Sequence, residues 1–123
     1  MGTLRTAVEV LTLLAVAPIG QMSSGALAAQ VGSHEVTLRR LLGRLRYAGL
    51  VEGREGRHGG WALARDPATV SFGDVHRALR SQEPASPAPL EGVLAEADDA
   101  FAGVLARYSV ADLAARVSPG SRL

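Results

Sequence analysis

The sequence contains no cysteine, and all thirteen of its basic residues are arginines, so lysine is absent as well. Without cysteine there can be no disulfide, no thiolate-bound metal and no cysteine redox chemistry. We therefore expect the protein to be held together by packing alone. The arginine bias favours forked hydrogen bonds to phosphates and guanines, although codon usage in a GC-rich genome would produce the same bias.

The sequence also lacks an apolar run long enough for a membrane span. Residues 7–19 are mostly apolar, but Glu9 interrupts this run and Pro18 ends it, whereas a bilayer-spanning helix needs roughly 20 apolar residues. With Arg5 before it and small residues at 26–28, the run loosely imitates a secretion signal. The interruption argues against that interpretation, and we expect a bacterial cytoplasmic protein that does not associate with membranes.

Positive charge is concentrated in the front half of the chain. Residues 1–66 carry eight arginines and five acids, a net charge of +3, whereas residues 67–123 carry five arginines and seven acids, a net charge of −2. A nucleic-acid-binding protein needs its positive charge focused on one surface, so this asymmetry points to anion binding by the front half. A length of 123 residues with 47% hydrophobic residues is enough for one small packed domain.

The apolar residues at the start of the chain recur at spacings of three and four, which predicts two helices. Thr3 is expected to cap the first helix, with Glu9 and Thr12 on the side that faces water. A short second helix starts at Ser23 or Ser24.

A glycine turn is expected to join the second helix to a third one over residues 34–48. Gly32 makes the turn, and Ser33 caps the third helix. Two helices joined in this way, with the small Ala28 four residues before the glycine, match a helix-turn-helix. Four leucines at helical spacing anchor the third helix against the first two, namely Leu38, Leu41, Leu42 and Leu45.

Two short strands at 50–54 and 61–64 surround the glycine-rich segment 55–60, which predicts a hairpin with a flexible, basic tip. Directly after a helix-turn-helix, such a hairpin is a wing. Ser71 and Asp74 then predict a capping box for a fourth helix that runs to about Arg80. Trp61 is expected to pack at the base of the wing.

The proline-containing segment 83–89 is expected to be a linker between a winged helix-turn-helix DNA-binding domain, 1–82, and a C-terminal part, 90–123. An apolar stripe predicts a long helix over 90–108, and Ser109 and Asp112 begin a last short helix. The fold class is thus mainly α with a small β wing. The other side of the long helix carries the acids Glu91, Glu96, Asp98 and Asp99.

One face of the third helix is expected to enter the DNA major groove. Steps of about 100° per residue place Val36, Arg40, Gly43 and Tyr47 opposite the leucines, with Arg39 beside them. A bidentate arginine–guanine contact is worth about 1–3 kcal/mol of discrimination, so Arg39 and Arg40 are the main specificity candidates. For Arg40 and Arg44, the alternative is a solvated helix face on which they pair with Glu35 or neighbouring acids. The predicted DNA-contacting residues are Ser24, His34, Val36, Thr37, Arg39, Arg40, Gly43, Arg44, Arg54, Arg57 and His58.

The sequence gives no support for catalysis or metal binding. His34, His58 and His76 share no ligand spacing, and Ser71 and Asp74 stand near His76 only in sequence. We predict neither an enzyme nor a metal site.

The segment 38–51, LRRLLGRLRYAGLV, and the segment 56–64, GRHGGWALA, together resemble the Rrf-two (BadM-type) family of winged-helix transcription regulators. The resemblance extends from about Leu4 to Leu79, and the string SVADL at 109–113 is similar to the family's terminal short helix. It implies a sequence-specific DNA-binding regulator. We expect a repressor, and activation stays open as the alternative.

The resemblance also implies a homodimer, in which the long helix crosses its partner and sets two recognition helices into a palindromic operator. An apolar stripe with little to pack against in a lone domain agrees with this, although packing within one chain would also cover it. The predicted dimerisation residues are Leu90, Val93, Leu94, Ala97, Phe101, Val104, Leu105 and Tyr108.

Some members of the family hold an iron–sulfur cluster through three cysteines between the wing-side helix and the dimerisation helix. The corresponding stretch here, 81–90, has no cysteine, which implies the cysteine-free branch, with no cofactor. Whether a small molecule or a protein acts as effector stays open; a crevice near Trp61, Phe72 and Phe101 is the expected place for a small molecule. The alternative function is a protein-interaction module that uses a winged-helix scaffold without specific DNA binding.

Overall fold

A computed structural model of the chain describes residues 2–56, 59–85 and 87–117. The predicted mainly helical fold with a two-stranded wing is confirmed. Within the described ranges, no helix combines the length and the hydrophobicity that a membrane span requires. The elements are α1 (Gly2–Val16), α2 (Ser24–Val31), α3 (Glu35–Tyr47), β1 (Val51–Arg54), β2 (Gly60–Leu63), a 3₁₀ turn (Pro67–Thr69), α4 (Phe72–Arg80), α5 (Leu90–Leu105) and α6 (Val110–Ala114).

Helix α1 is the centre of the core, because α2, α3, α4, α6 and β2 all pack against it. The expectation that Thr12 faces water is therefore wrong. Thr12 is completely buried, and its hydroxyl donates a hydrogen bond to the Val8 carbonyl at 2.8 Å, which satisfies the polar group inside the core. Thr3 is not a cap either, since α1 already begins at Gly2.

Two serines flank α2, and only the first of them is a helix cap. Ser23 caps α2 by accepting a hydrogen bond from the Ala26 amide at 3.1 Å. Gly32 adopts a left-handed φ of 69°, and the Ser33 amide donates to the Ala28 carbonyl at 3.0 Å. Ser33 thus belongs to the closing turn of α2, and the prediction that it caps α3 is wrong. His34 takes the N-cap position without a side-chain cap.

The wing is attached to the helix-turn-helix by a third backbone segment. β1 and β2 pair antiparallel from Val51 opposite Leu63 to Arg54 opposite Gly60. On the other edge of β2, Met22 and Trp61 exchange backbone hydrogen bonds of 3.0 and 2.8 Å. The loop before α2 and the base of the wing therefore form one unit.

Both capping boxes in the second half of the chain are confirmed, at Ser71 with Asp74 and at Ser109 with Asp112. Helix α5 ends at Leu105, three residues before its predicted end at 108. Beyond the helix the backbone turns, and the Tyr108 carbonyl accepts a hydrogen bond from the Phe72 amide at 2.8 Å. This bond places α6 beside the start of α4.

Gly73, in the first turn of α4, lies directly against α5. A Cβ atom at this position would be 2.6 Å from the carbonyl oxygen of Ala102 and 3.1 Å from the amide nitrogen of Ala106, so the two backbones are in contact. Ala102 is the one fully buried residue among those that the structure describes in α5. These small residues determine how closely α5 approaches α4.

Charged side chains flank this crossing. Asp98 of α5 accepts a hydrogen bond from Arg80 and lies 3.1 Å from His76 Nε2, and Arg80 pairs with Glu83 at 2.7 Å. The His76 ring meets the Phe101 ring edge-on at a centroid distance of 4.8 Å. The predicted separation of α5 into an apolar and an acidic side is wrong at Asp98, because this carboxylate and Phe101 share the face that meets α4.

The hydrogen bond from Arg80 lowers the pKa of Asp98 below its ordinary value, because the guanidinium favours the charged carboxylate. The contact with His76 acts in the same direction, whereas partial burial opposes it. The same hydrogen bond raises the pKa of Arg80. Both partners are therefore charged at neutral pH.

We expect Gly73→Ala to destabilise the protein by about 1–3 kcal/mol, because the new methyl group would overlap the Ala102 carbonyl. Gly92→Ala is the control, since a Cβ there meets no atom within 4 Å; it should stabilise α5 by roughly 0.5–1 kcal/mol. Urea unfolding followed by circular dichroism measures both. A Gly73→Ala protein as stable as the wild type would contradict the close crossing.

Asp98→Asn should make the free energy of unfolding less dependent on pH in the acidic range. A carboxylate whose pKa falls on folding stabilises the protein above the unfolded pKa of about 4, and this contribution is lost as the pH drops through the lowered folded value. The variant is therefore expected to be less stable than the wild type at pH 7, with a difference that shrinks below about pH 4.

Urea unfolding at a series of pH values measures this difference. Asp99→Asn is the control, because Asp99 is 77% exposed and lies 3.4 Å from Arg77; its effect should be smaller throughout. A loss of stability in Asp98→Asn that does not change with pH would contradict an electrostatic role.

Candidate nucleic-acid interface

The outer face of α3 is open along its length, as its helical spacing predicts. The four stripe leucines are buried, whereas Val36 is 63% exposed and Tyr47 is 85% exposed. Between them, a Cβ atom at Gly43 would meet nothing within 4 Å. This face therefore carries two exposed apolar side chains together with arginines, and its contact with DNA stays a prediction.

Arg40 lies on this open face and makes no hydrogen bond or ion pair with the residues that the structure describes. It lines a depression of about 420 Å³ together with Thr37 and Thr6. The alternative in which Glu35 pairs with Arg40 is not what the structure contains, because Glu35 pairs with Arg39 instead. The positive charge of Arg40 is available to an external anion.

Arg39 is bound to two neighbours at the side of this face. Its Nη2 donates to Glu35 Oε1 at 2.8 Å, and its Nε donates to Ser24 Oγ at 3.2 Å. Ser24 Oγ in turn donates to Glu35 Oε1 at 3.0 Å. The three side chains form a closed ring of hydrogen bonds between α2 and α3.

Arg44 is directed away from the outer face. Its Nη2 donates to the Leu79 carbonyl at 3.0 Å, near the C-terminal end of α4, where a cation is favoured. Gln82 Nε2 donates to the Arg44 carbonyl at 3.0 Å. Arg44 thus connects α3 to α4, and its contact with DNA stays a prediction.

The wing adds further arginine to the same region. Arg54 lies 3.4 Å from Glu52, and both side chains are about half exposed. Arg54 also lines a depression of about 530 Å³ with Arg46 and Trp61. Arg46 is absent from the predicted set because only the folded wing brings this position next to the strands; no local pattern in the sequence indicates it.

Of the remaining predicted DNA contacts, one lies within the described residues and two lie outside them. His34 is exposed at the start of α3. Arg57 and His58, at the predicted wing tip, lie outside the described residues, and their role stays a prediction.

The aromatic residues of the predicted effector crevice lie in separate places. Trp61 packs at the wing base, as predicted, beside Met22. Phe72 lines an apolar depression of about 380 Å³ together with α1, α5 and α6 residues, and Phe101 faces His76. The structure therefore does not gather these three rings around one cavity.

Part of the predicted apolar stripe of α5 faces away from its own chain. Tyr108 lies beyond the helix, with its ring 6.2 Å from that of Phe72. Leu94, Phe101 and Leu105 are half-buried. The exposed members are Leu90 (51%), Val93 (65%), Val104 (50%), Tyr108 (49%) and Ala97.

The chain does not fit a cysteine-ligated iron–sulfur cluster. Such clusters are held by thiolates, and the chain has no cysteine. Across the described ranges, no three histidine or carboxylate side chains come together in a way that could hold a metal ion.

Comparison with known proteins identifies the family. The Rrf2 (Rrf-two) family, described as "Iron-dependent Transcriptional regulator", matches residues 2–116. No curated protein matches the sequence.

Several solved structures share the fold over nearly the whole chain. IscR of T. potens is 25% identical, with a TM-score of 0.76 over 100% of this chain and 90% of its own. CymR (YrzC), the global cysteine regulator of B. subtilis, is 26% identical, with a TM-score of 0.73 over 96% and 97%. Staphylococcus aureus CymR is 26% identical, with a TM-score of 0.72 over 96% and 99%.

These matches favour the DNA-binding interpretation over a protein-interaction module, and they are to transcriptional regulators rather than to enzymes. The arginine-bearing open face of α3 and the wing are the parts of the chain that suit DNA. The chain belongs to the Rrf2 family of DNA-binding transcriptional regulators.

Proposed function

We propose that this regulator is a homodimeric repressor that recognises a palindromic operator and works without an iron–sulfur cluster. In this proposal α3 enters the major groove, the wing contacts the flanking backbone, and α5 joins two protomers. A two-fold dimer presents two copies of α3, so its site has two half-sites of inverted sequence.

The observation that carries the proposal is the open face of α3. Val36 is largely exposed there, Gly43 leaves room for close approach, and Arg40 lacks a partner within the described part of the chain. A valine on such a face suits contact with a thymine methyl group, and an arginine suits a guanine edge or a phosphate. The buried leucines make α3 rigid, so this face is presented in one orientation.

The exposed stripe on α5 supports the homodimer. Leu90, Val93 and Val104 lie on one side of the helix and are each at least half exposed, although apolar side chains of this size are normally buried. A second copy of the same helix would cover them with an apolar surface of the same kind. The face opposite this stripe is already fixed against α4 by Gly73 and Ala102.

A dimer that binds its operator in this way is most simply a repressor. A dimer bound across two major grooves occupies promoter DNA, and occupancy alone excludes RNA polymerase. The absence of cysteine from the chain supports operation without a thiolate-bound cluster. The signal that the regulator senses must then act through other side chains.

Arg40→Ala is expected to weaken binding to the preferred operator by about tenfold or more, and binding to random DNA much less. The reason is that a bidentate contact with guanine is worth about 1–3 kcal/mol, whereas a phosphate contact affects all sequences alike. The operator is first obtained by sequencing genomic fragments that the purified protein retains. Fluorescence anisotropy at several salt concentrations then gives both affinities.

The control for this experiment is Arg107→Ala, which removes an exposed arginine outside α3 and the wing. It should leave the ratio of specific to random binding unchanged. If Arg40→Ala weakens binding to the operator and to random DNA equally, Arg40 contacts only the DNA backbone. The proposed function itself would be contradicted if the wild type retained no preferred fragment and its binding to DNA did not depend on salt concentration.

Val93→Glu combined with Val104→Glu should separate the protomers. Charges buried without a partner cost several kcal/mol, so the dimer dissociation constant should rise at least about 100-fold. Sedimentation velocity over a range of concentrations measures it. Gly92→Glu, whose position is exposed and lies off the stripe, is the control. A double variant that stays as dimeric as the control would contradict an interface built on α5.

A further inference from the structure

The ring of hydrogen bonds around Arg39 determines which edge of its guanidinium is free. A guanidinium is a planar fork with five N–H groups. Ser24 accepts from Nε and Glu35 accepts from Nη2, so both contacts are on the edge that these two nitrogens share. The opposite edge, formed by Nη1 and the second hydrogen of Nη2, has no partner among the described residues.

The free edge is accessible. The side chain of Arg39 is 65% exposed and that of Glu35 is 46% exposed, and Arg39 lies next to the open face of α3. Two parallel N–H groups on one guanidinium edge match the O6 and N7 acceptors of guanine in the major groove. The two contacts to α2 and to the first turn of α3 hold the plane of the guanidinium.

Other arginines of this region are not held in this way. Arg40 has no described partner, and Arg54 has a single contact at 3.4 Å with Glu52. A long side chain that is fixed before binding loses less conformational freedom when it binds. Arg39 is thus the arginine of α3 whose geometry is already suited to a directional contact.

We propose that Glu35 and Ser24 are positioning residues that fix Arg39 so that its free edge reads one guanine in each half-site. The proposal rests on the proposed function, because it assumes that α3 enters the major groove. It changes the role predicted for Ser24, which acts on Arg39 and not directly on DNA. Glu35 is not in the predicted contact set; the sequence predicts it only as an ion-pair partner of arginines on a solvated face.

The charge of Glu35 gives this role a distinctive signature. A carboxylate near the DNA surface weakens binding to every sequence, while the ring that it completes strengthens discrimination at one base pair. Removing it should therefore raise affinity for random DNA and lower specificity at the same time. Removing a residue that only stabilises the fold would not raise the affinity for random DNA, and it would not lower the preference at one base pair alone.

The test is selection of bound sequences from a randomised duplex pool by the purified full chain, followed by sequencing. The variants are Arg39→Ala, Ser24→Ala, Glu35→Ala and Glu35→Gln. The glutamine retains an oxygen that can accept both hydrogen bonds, so it separates geometry from charge. Glu52→Ala is the matched control, because it also removes an acid next to an arginine on the DNA-binding side. Circular dichroism confirms folding; Ser24→Ala leaves the Ser23 cap of α2 intact.

We expect Arg39→Ala to abolish the preference for one G·C pair in each half-site. Glu35→Ala and Ser24→Ala should each reduce the preference at that same pair about three- to tenfold and should have no further effect in the Arg39→Ala background. Glu35→Gln should retain most of the preference while binding random DNA more tightly. Glu52→Ala should leave the preference unchanged.

Two results overturn the inference while the proposed function stands. In the first, the wild type selects an operator and Arg39→Ala loses a base pair, but Glu35→Ala and Ser24→Ala keep it. In the second, Arg39→Ala selects the same operator as the wild type. A wild-type protein that selects no sequence overturns both the proposed function and this inference.

Discussion

The burial of four leucines of α3 in the hydrophobic core is the constraint on which the rest of this structure depends. Leu38, Leu41, Leu42 and Leu45 occupy one side of the helix and are buried. Because a helix repeats every 3.6 residues, burying this side fixes the opposite side as the outer one. The positions of Val36, Arg40 and Gly43 follow without any further interaction, and so does the rigidity with which α3 presents them.

A second close contact sets the position of the C-terminal helices. Gly73 allows the backbones of α4 and α5 to touch, and the pairing of Asp98 with Arg80 accompanies this crossing. With one side of α5 fixed in this way, its other side carries exposed Leu90, Val93 and Val104. Helix α3 and the exposed stripe are therefore held in one framework, because Arg44 and Gln82 connect α3 to the end of α4.

Errors in the sequence-based predictions have one common physical origin. Thr12 is buried because α1 is packed by five other elements, which no pattern within α1 can reveal. Ser33 lost its expected capping role because its amide closes the preceding helix, and Asp98 faces inward because α4 offers it Arg80. Each residue was judged by its own helix alone, whereas its environment is set by another element: the preceding helix for Ser33 and the elements packed around it for Thr12 and Asp98.

Local sequence patterns alone determined most of the architecture: periodicity gave the helices and the outer face of α3, the glycine-rich segment gave the wing, and Ser/Asp spacing gave both capping boxes. The tertiary structure alone decided which partner each side chain on those elements has. It joined Arg39 to Glu35 and Ser24 across two helices, left Arg40 without a partner in the described chain, and brought Arg46 beside the wing. Such contacts depend on how helices cross, and the crossings are set by packing over the whole domain.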